Sequence, residues 1–223
     1  MLHLKKLNYH PPATPRPILW NINLELSPRK LGLIIGPSGS GKTTLLEILA
    51  GLAQPTHGKV FWGTQELAPL DLQYLAGIVF QFPERHFCGD TVLEELRLGH
   101  PELGSQQVTE ALEEVGLDHL SFGTSPHALS GGQQRRLALA VQLIRQPNLL
   151  LLDEPTAGLD WSMRRQLVKL LARLKQHWTL LVVTHDASDL LPIADHCWTI
   201  NHGQLAAVDP AELIRKNMEL VNG

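Results

Sequence analysis

The nine residues GPSGSGKTT at positions 36–44 set three glycines, a lysine and two threonines in the spacing G-x-x-x-x-G-K-[ST]. Phosphate chemistry explains that spacing. Gly36, Gly39 and Gly41 let backbone N–H groups turn inward around phosphate oxygens where side chains would obstruct them, and Pro37, Ser38 and Ser40 complete the turn. Lys42 can reach β- and γ-phosphates and the Thr43 hydroxyl can ligate Mg2+. Thr44 follows in a helix whose positive dipole end adds to the attraction. A second set is LLLLDEP, 149–155, where four apolar residues make a buried strand that ends in two carboxylates. Asp153 at the strand tip is placed to hold a Mg2+ shell, and Glu154 to polarise an attacking water. The third is LLVVTH, 180–185, an apolar strand ending in Thr184 and His185. A histidine at the C-terminal end of a parallel strand sits on the ligand side of the sheet, where it could contact the γ-phosphate or the nucleophilic water. By itself His185 is an ordinary strand-end polar residue. The three sets together imply that the chain binds a nucleoside triphosphate. No guanine-reading NKxD segment occurs, which removes a GTPase; a small-molecule kinase stays open on the cradle alone.

These groups need elements to position them. Two strand-like pieces, His3–Tyr9 and Ile18–Leu26, open the chain around the Pro-rich HPPATPRP. LGLII, 31–35, reads as a buried strand, followed by the Gly-rich turn and a helix over Lys42–Ala50. Further strands are expected at Lys59–Trp62, Gly77–Phe80, Leu149–Leu152, Leu180–Val183 and Cys197–Asn201. The last three alternate with helical patterns at Met163–Gln176 and Ala187–Ile193, which implies a parallel sheet covered by helices. From about Pro83 to Leu129 the patterns TVLEELRL and QQVTEALEEVGL are helical, with no convincing strand, so this stretch reads as a helical subdomain inserted in an α/β core. A final helix is expected at Ala211–Leu220. No internal repeat or low-complexity tract appears.

Composition narrows the class. At 223 residues, 43% hydrophobic and 18% charged, the chain suits one globular core with a small subdomain. A net charge of −3 argues against a dedicated nucleic-acid binder. No apolar run approaches the roughly eighteen residues of a membrane span, and the N-terminus carries no secretory pattern. Cys88 and Cys197 stand far apart and suit a reducing compartment. The eleven histidines show no metal-ligand spacing. One local feature is unusual: SGGQQ, 130–134, sets two glycines at the start of a long apolar helix, where each would cost up to about 1 kcal/mol in a helix interior. Ser130 suits a helix cap, and Gly131 and Gly132 at a helix N-terminus leave free N–H groups open to an anion.

The ordered set Gly36–Thr43, Gln81, LSGGQ (129–133), LLLLDEP (149–155), AGLD (157–160) and His185 resembles the nucleotide-binding subunits of the ATP-binding cassette (ABC) family over about residues 2–215. The resemblance implies a P-loop NTPase core of RecA-like type, with a mainly parallel sheet, an N-terminal antiparallel β part and the inserted α-helical subdomain. It divides one ABC ATPase domain, 1–223, into a core of about 1–82 and 139–223 and a helical subdomain of about 83–138. It also implies an ATPase that works as a head-to-tail dimer with two ATP molecules held between protomers. By similarity, Lys42 and Thr43 bind phosphate and Mg2+, Gln81 senses the metal and water, Asp153 supports Mg2+, Glu154 is the general base and His185 the γ-phosphate switch. Ser130, Gly131, Gly132 and Gln133 would face the γ-phosphate held by the second subunit, and Asp160 the dimer contact. The family's adenine-stacking aromatic aligns with Pro11, two residues after Tyr9; Tyr9 either stacks from a shifted strand or faces the sheet.

VFQFPERHFCGDTVLEEL (79–96), SPHALSGGQQRR (125–136), EPTAGLD (154–160) and Val141 in LALAVQLI are similar to the energy-coupling-factor (ECF) type of vitamin and metal importers. His86 departs from that pattern, and ECF members continue for tens of residues beyond the point where this chain stops. The resemblance implies a peripheral subunit on the cytoplasmic side of a membrane. Its partners would be a second ABC ATPase subunit and an integral membrane transporter subunit docking near Phe82–Leu98, with no nucleic acid. Phe82, Phe87 and Cys88 are either an exposed apolar docking groove or the subdomain's own core. The competing expectation is a soluble ABC ATPase acting in assembly, for example of iron–sulfur clusters, without a membrane partner.

Overall fold

A computed structural model describes residues 1–12 and 14–221, with side chains in the last helix described as far as Arg215. Ten strands form two sheets: β1 (Leu2–Tyr9), β2 (Leu19–Leu26), β3 (Leu31–Ile35), β4 (His57–Trp62), β5 (Gln65–Leu67), β6 (Ala76–Val79), β7 (Leu149–Asp153), β8 (Thr179–Thr184), β9 (His196–Asn201) and β10 (Gln204–Val208). Seven helices accompany them: α1 (Lys42–Leu49), α2 (Pro69–Leu75), α3 (Val92–Arg97), α4 (Ser105–Glu114), α5 (Gly131–Leu143), α6 (Trp161–Leu174) and α7 (Pro210–Val221). An antiparallel sheet runs β2-β1-β4-β5; the larger sheet runs β10-β9-β3-β8-β7-β6. In the larger sheet the five strands from β9 to β6 are mutually parallel, and β10 folds back antiparallel on β9.

The parallel strands are buried on both faces, and their alternation separates two cores. Leu150 and Leu152 of β7 join Leu180 and Val182 of β8 in a core shared with α5, α6 and the helical stretch. Leu149, Leu151, Leu181 and Val183 face the other way, onto α1 and the antiparallel sheet. This two-faced burial is why these strands read as continuous apolar runs. Val92, Leu96, Val108 and Leu112 of α3 and α4 belong to the first core, so the helical stretch packs on one face of the parallel sheet. α5 runs unbroken across position 138.

Most expected elements form within a residue or two of their expected bounds. Ala187–Ile193 does not become a helix: only a 3-10 turn, Leu191–Ile193, forms there. Ala187, Leu190 and Leu191 are buried at helical spacing, but Pro192 lacks an N–H and opposes helix continuation. β5, α2 and β10 were not signalled by periodicity. β10 is joined to β9 by a two-residue turn in which His202 and Gly203 have φ of 45° and 73°.

Candidate functional site

The phosphate-binding loop lies between β3 and α1, as its motif requires. Gly41 caps α1 with φ 101°, and a Cβ there would sit 2.8 Å from Leu19 Cδ2 and 3.1 Å from the Ile18 carbonyl oxygen. Only glycine meets both constraints. At Gly36 a Cβ would lie 2.3 Å from the Ile200 carbonyl oxygen, so β9 closes the opposite side of the loop. The β9–β10 turn ties down the same loop, because Gly203 N–H donates to the Ser40 carbonyl at 3.2 Å while its own carbonyl accepts from Trp20 N–H at 2.8 Å. Pro37, Ser38 and Gly39 are exposed at the rim, and Thr44 is half-buried in the first turn of α1. Ser40 is buried, and its Oγ has no hydrogen-bond partner among the described residues. Lys42 is buried; its Nζ donates to the Gly36 carbonyl at 2.7 Å and the Pro37 carbonyl at 3.0 Å, and lies 3.6 Å from Glu154 Oε1.

Strand parity brings Asp153 to this loop. It shares the alternation of Leu149 and Leu151, which puts its side chain on the α1 face. There Thr43 Oγ1 donates to Asp153 Oδ2 at 2.7 Å. Burial pushes the Asp153 carboxyl above its ordinary value; the Thr43 hydroxyl pulls it down, Glu154 adds to the rise and Lys42 opposes it. A buried carboxylate and a hydroxyl are hard oxygen donors, and Mg2+ commonly takes one or two carboxylates together with substrate phosphates. Thr43 and Asp153 therefore fit the ion.

Glu154 stands one residue beyond the strand with φ 47°, an unusual left-handed conformation for a glutamate. Its carboxylate is buried and fixed by several donors. Thr184 Oγ1 donates at 2.8 Å, the His185 backbone N–H at 2.9 and 3.2 Å, and His185 Nδ1 lies 2.9 Å from Oε1. The His185 ring is 54% exposed. The structure thus brings Lys42, Thr43, Asp153, Glu154 and His185 into one cluster.

Among the described residues, Gln81, Tyr9, Ser130–Gln133 and Asp160 make no hydrogen bond or ion pair with that cluster. Gln81 follows β6, half-buried, and no hydrogen bond joins it to that cluster among the described residues. Tyr9, at the end of β1, packs part-buried against the core beneath the antiparallel sheet. Ser130 is the N-cap of α5: its Oγ accepts from Gln133 N–H at 3.4 Å, while Gln133 Oε1 accepts from Ser130 N–H at 2.9 Å. The two glycines differ. A Cβ at Gly131 would meet nothing within 4 Å, whereas one at Gly132 would come 3.1 Å from Met163 Sδ of α6. Gly131 leaves the helix end open; Gly132 lets α5 approach α6. Among the described residues no hydrogen bond or ion pair joins 129–133 to 36–44. Asp160 caps α6, its Oδ1 accepting from Met163 N–H at 2.9 Å. In the 82–98 segment Phe87 packs part-buried on the core, Cys88 is exposed, and the Arg85 guanidinium lies 4.9 Å over the half-buried Phe82 ring.

Sequence reasoning missed two arginines that grip the loop after Glu154. Arg135 of α5, buried, donates to the carbonyls of Glu154 and Ala157. Arg164 of α6 donates to the Leu159 carbonyl and pairs with Asp186 and Asp189, both at 3.2 Å, just past His185. Arg135 had a signal, since it falls on the stripe of Gly132 and Leu139, three and four residues away, which is buried.

Comparison with known proteins matches residues 19–157 to the family described as ABC transporter. "ABC transporter I family member 11, chloroplastic" of Arabidopsis thaliana is 45% identical, over 91% of this chain and 78% of the relative. The "Energy-coupling factor transporter ATP-binding protein EcfA2" of Enterococcus faecalis is 35% identical, over 98% of this chain and 82% of the relative. The solved structure of cbiO1 from Clostridium perfringens, part of the ABC transporter complex cbiONQ, superposes with a TM-score of 0.89 at 27% identity, covering 99% of this chain and 93% of that one.

Proposed function

Because the chain belongs to the ABC transporter family and is an ABC ATPase, we propose that it is the ATP-hydrolysing subunit of a multi-component membrane importer of the ECF and CbiO kind. The observation that carries this reading is the cluster at the cradle: Lys42, Thr43 and Asp153 around the loop, with a buried, fully fixed Glu154 beside them. ATP enters as substrate. Gly36 through Thr44 hold its phosphates, with Lys42 countering their charge. Thr43 and Asp153 would hold Mg2+, which would supply positive charge to offset that of the phosphates. Glu154 takes the proton of the attacking water, and His185 orients the γ-phosphate from its exposed ring. Gln81 reports on this centre from the start of the 82–98 segment, and Tyr9 flanks the adenine. The chain acts as a single ABC ATPase domain with its helical part at about 83–138.

The second half of the site comes from another cassette. Ser130, Gly131, Gly132 and Gln133 cap a helix whose open end is not joined to this chain's own cradle, and Asp160 lies exposed beside the same α6 start. That supports a dimer in which each α5 N-terminus faces the phosphates of its partner. Among the described residues no helix is long and apolar enough to cross a membrane. The likeness to ECF and CbiO transporter ATPases supports a peripheral subunit on the cytoplasmic side, docking a membrane subunit through Phe82–Leu98. Vitamins or metal ions are the substrate class. The test is affinity purification of the tagged full-length chain from native membranes, with identification of what accompanies it. A multi-span membrane protein and a cassette subunit are expected; soluble scaffold proteins alone would overturn the transporter reading in favour of an assembly ATPase.

A further inference from the structure

Arg135 is a cation kept at 5% exposure, and among the described residues no salt bridge reaches it. Burial lowers its pKa from the ordinary guanidinium value, and Glu84, in the turn Pro83–Arg85 that packs on α5, pulls the other way. A charge taken from water without a paired ion is retained only where strong hydrogen bonds replace the lost hydration. Here the replacements are two backbone carbonyls of one loop: Nη2 donates to Ala157 at 2.9 Å and Nη1 to Glu154 at 3.4 Å.

That loop needs holding. Glu154 has φ 47°, and a non-glycine residue in this region persists only where its surroundings over-determine it. Its N–H donates to the Val183 carbonyl at 2.9 Å and its carboxylate is fixed by Thr184 and His185. Its carbonyl is the remaining handle, accepting from Ala157 N–H at 3.1 Å and from the Arg135 fork. The fork projects from the helix that begins at Ser130, and Gly132 of the same helix is packed on Met163 of α6. The helix carrying SGGQQ and the turn carrying Glu154 are therefore one mechanically connected body.

We propose that Arg135 is a positioning residue for hydrolysis: by gripping the carbonyls of Glu154 and Ala157 it holds the left-handed turn that aims the Glu154 carboxylate, and it ties that aim to the helix capped by Ser130. The inference rests on Glu154 being the general base. It predicts a separation of turnover from binding, because among the described residues no hydrogen bond or ion pair joins Arg135 to the 36–44 cradle. Lysine at 135 keeps the charge but has one ammonium in place of the planar two-nitrogen fork, so it cannot reproduce both contacts in their geometry. Glutamine keeps a single donor group without charge.

The experiment measures ATP turnover, the ATP dissociation constant in the presence of EDTA, and thermal melting for the full-length protein, Arg135→Lys and Arg135→Gln. Expected is a fall in kcat of about 10- to 100-fold in Arg135→Gln, the loss that follows from a misplacement of the order of 1 Å at a reacting group. Arg135→Lys should recover part of it, and the ATP dissociation constant should stay within about threefold in both, as for a lost interaction that binding does not use. Full turnover in both folded variants overturns the inference. So does a rise in the ATP dissociation constant that matches the loss of turnover. If Arg135→Gln does not fold, Arg135→Lys decides by the same two criteria. A wild-type protein that turns over no ATP would instead bring down the hydrolysis reading itself, which keeps the two failures distinct.

Discussion

Replacing Glu154 by Gln tests the centre of the site with almost no change of shape. Glu154 Oε2 accepts from Thr184 Oγ1 at 2.8 Å and Oε1 from the His185 N–H at 2.9 Å, and the amide oxygen of glutamine can keep one of these contacts. What disappears is the negative charge 3.6 Å from Lys42 Nζ and the ability to take a proton. Lys42 retains its bonds to the Gly36 and Pro37 carbonyls, so the cradle keeps its form. Removing the carboxylate should leave ATP binding intact or tighter, because one negative charge facing the phosphates is gone. A positioned general base is worth about 10²- to 10⁴-fold in rate, which corresponds to roughly 3–5 kcal/mol of barrier. Phosphate release per protein should fall by that factor in Glu154→Gln, while binding of a fluorescent ATP analogue stays within about threefold of wild type. Size-exclusion chromatography with ATP should then show a dimer that persists because it cannot turn over. Turnover within threefold of wild type would refute the reasoning. It would mean that the buried, four-times-contacted carboxylate serves only to hold the Thr184–His185 turn.

Three further outcomes follow from the same geometry. Asp153 has its carboxyl raised in the folded chain, chiefly by burial, so the folded state favours the protonated form; its contribution to stability is fully present below the ordinary value of 3.8 and is lost as pH rises through the raised one. Asp153→Asn should consequently melt no lower than wild type at pH 7, while ATP turnover with Mg2+ falls by at least about 10²-fold if the carboxylate holds the ion. Asp195 behaves in the opposite sense. Burial pushes it up, but the Leu31 N–H, Lys175 and Lys30 together outweigh burial and hold it below 3.8. Its stabilisation is present above the ordinary carboxylate value and disappears as pH falls through the lowered one. The melting difference between wild type and Asp195→Asn, about 1–3 kcal/mol at pH 7 for hydrogen bonds to a charged group, should therefore close as the titration passes below pH 3.8. Gly41→Ala forces a Cβ to 2.8 Å from Leu19 at φ 101°. It should cost about 1–3 kcal/mol in urea unfolding and weaken ATP binding by displacing the α1 start; an unchanged midpoint and affinity would remove the steric account.

The sequence made the cradle and its strands legible because each obeys a local rule: a glycine-rich turn between a strand and a helix, and apolar runs on strands covered on both faces. It marked Ser130 as a cap for the same reason, and the structure adds the reciprocal half of the cap, Gln133 Oε1 accepting from Ser130 N–H. What it left hidden depends on distant partners. β5, with the polar sequence QEL, is a strand because β4 pairs with it. Ala187–Ile193 offered helical spacing, and Pro192 overrode it. The left-handed backbone of Glu154 is invisible in a string of letters, because no glycine or asparagine announces it. Arg135 falls on the buried stripe of α5, but its grip on the Glu154–Ala157 turn depends on a partner nineteen to twenty-two residues away. The functions of Gly131 and Gly132 separate only in three dimensions, one facing open space and the other Met163.

The charges at the cradle show how such a site discriminates binding from reaction. Lys42 already donates to two loop carbonyls, Thr43 already donates to Asp153, and His185 already meets Glu154. A phosphate arriving in the loop exchanges hydrogen bonds more than it adds them, and each exchange is worth only about 0.5–1.5 kcal/mol net. The surplus must come from charge: the Lys42 ammonium and the N-terminal end of α1 attract the triphosphate, while Asp153 and Glu154 repel it. On the proposed reading a divalent cation held by Asp153 would convert one of those repulsions into attraction, which would offset the cost of burying that carboxylate. As the proposed general base, Glu154 could not bind the cation in the same way and still take a proton. Its charge is instead held by Thr184, by the His185 backbone and by Lys42, and its turn by Arg135. The residue proposed as the general base is thus held by contacts drawn from β8, α1 and α5 at once.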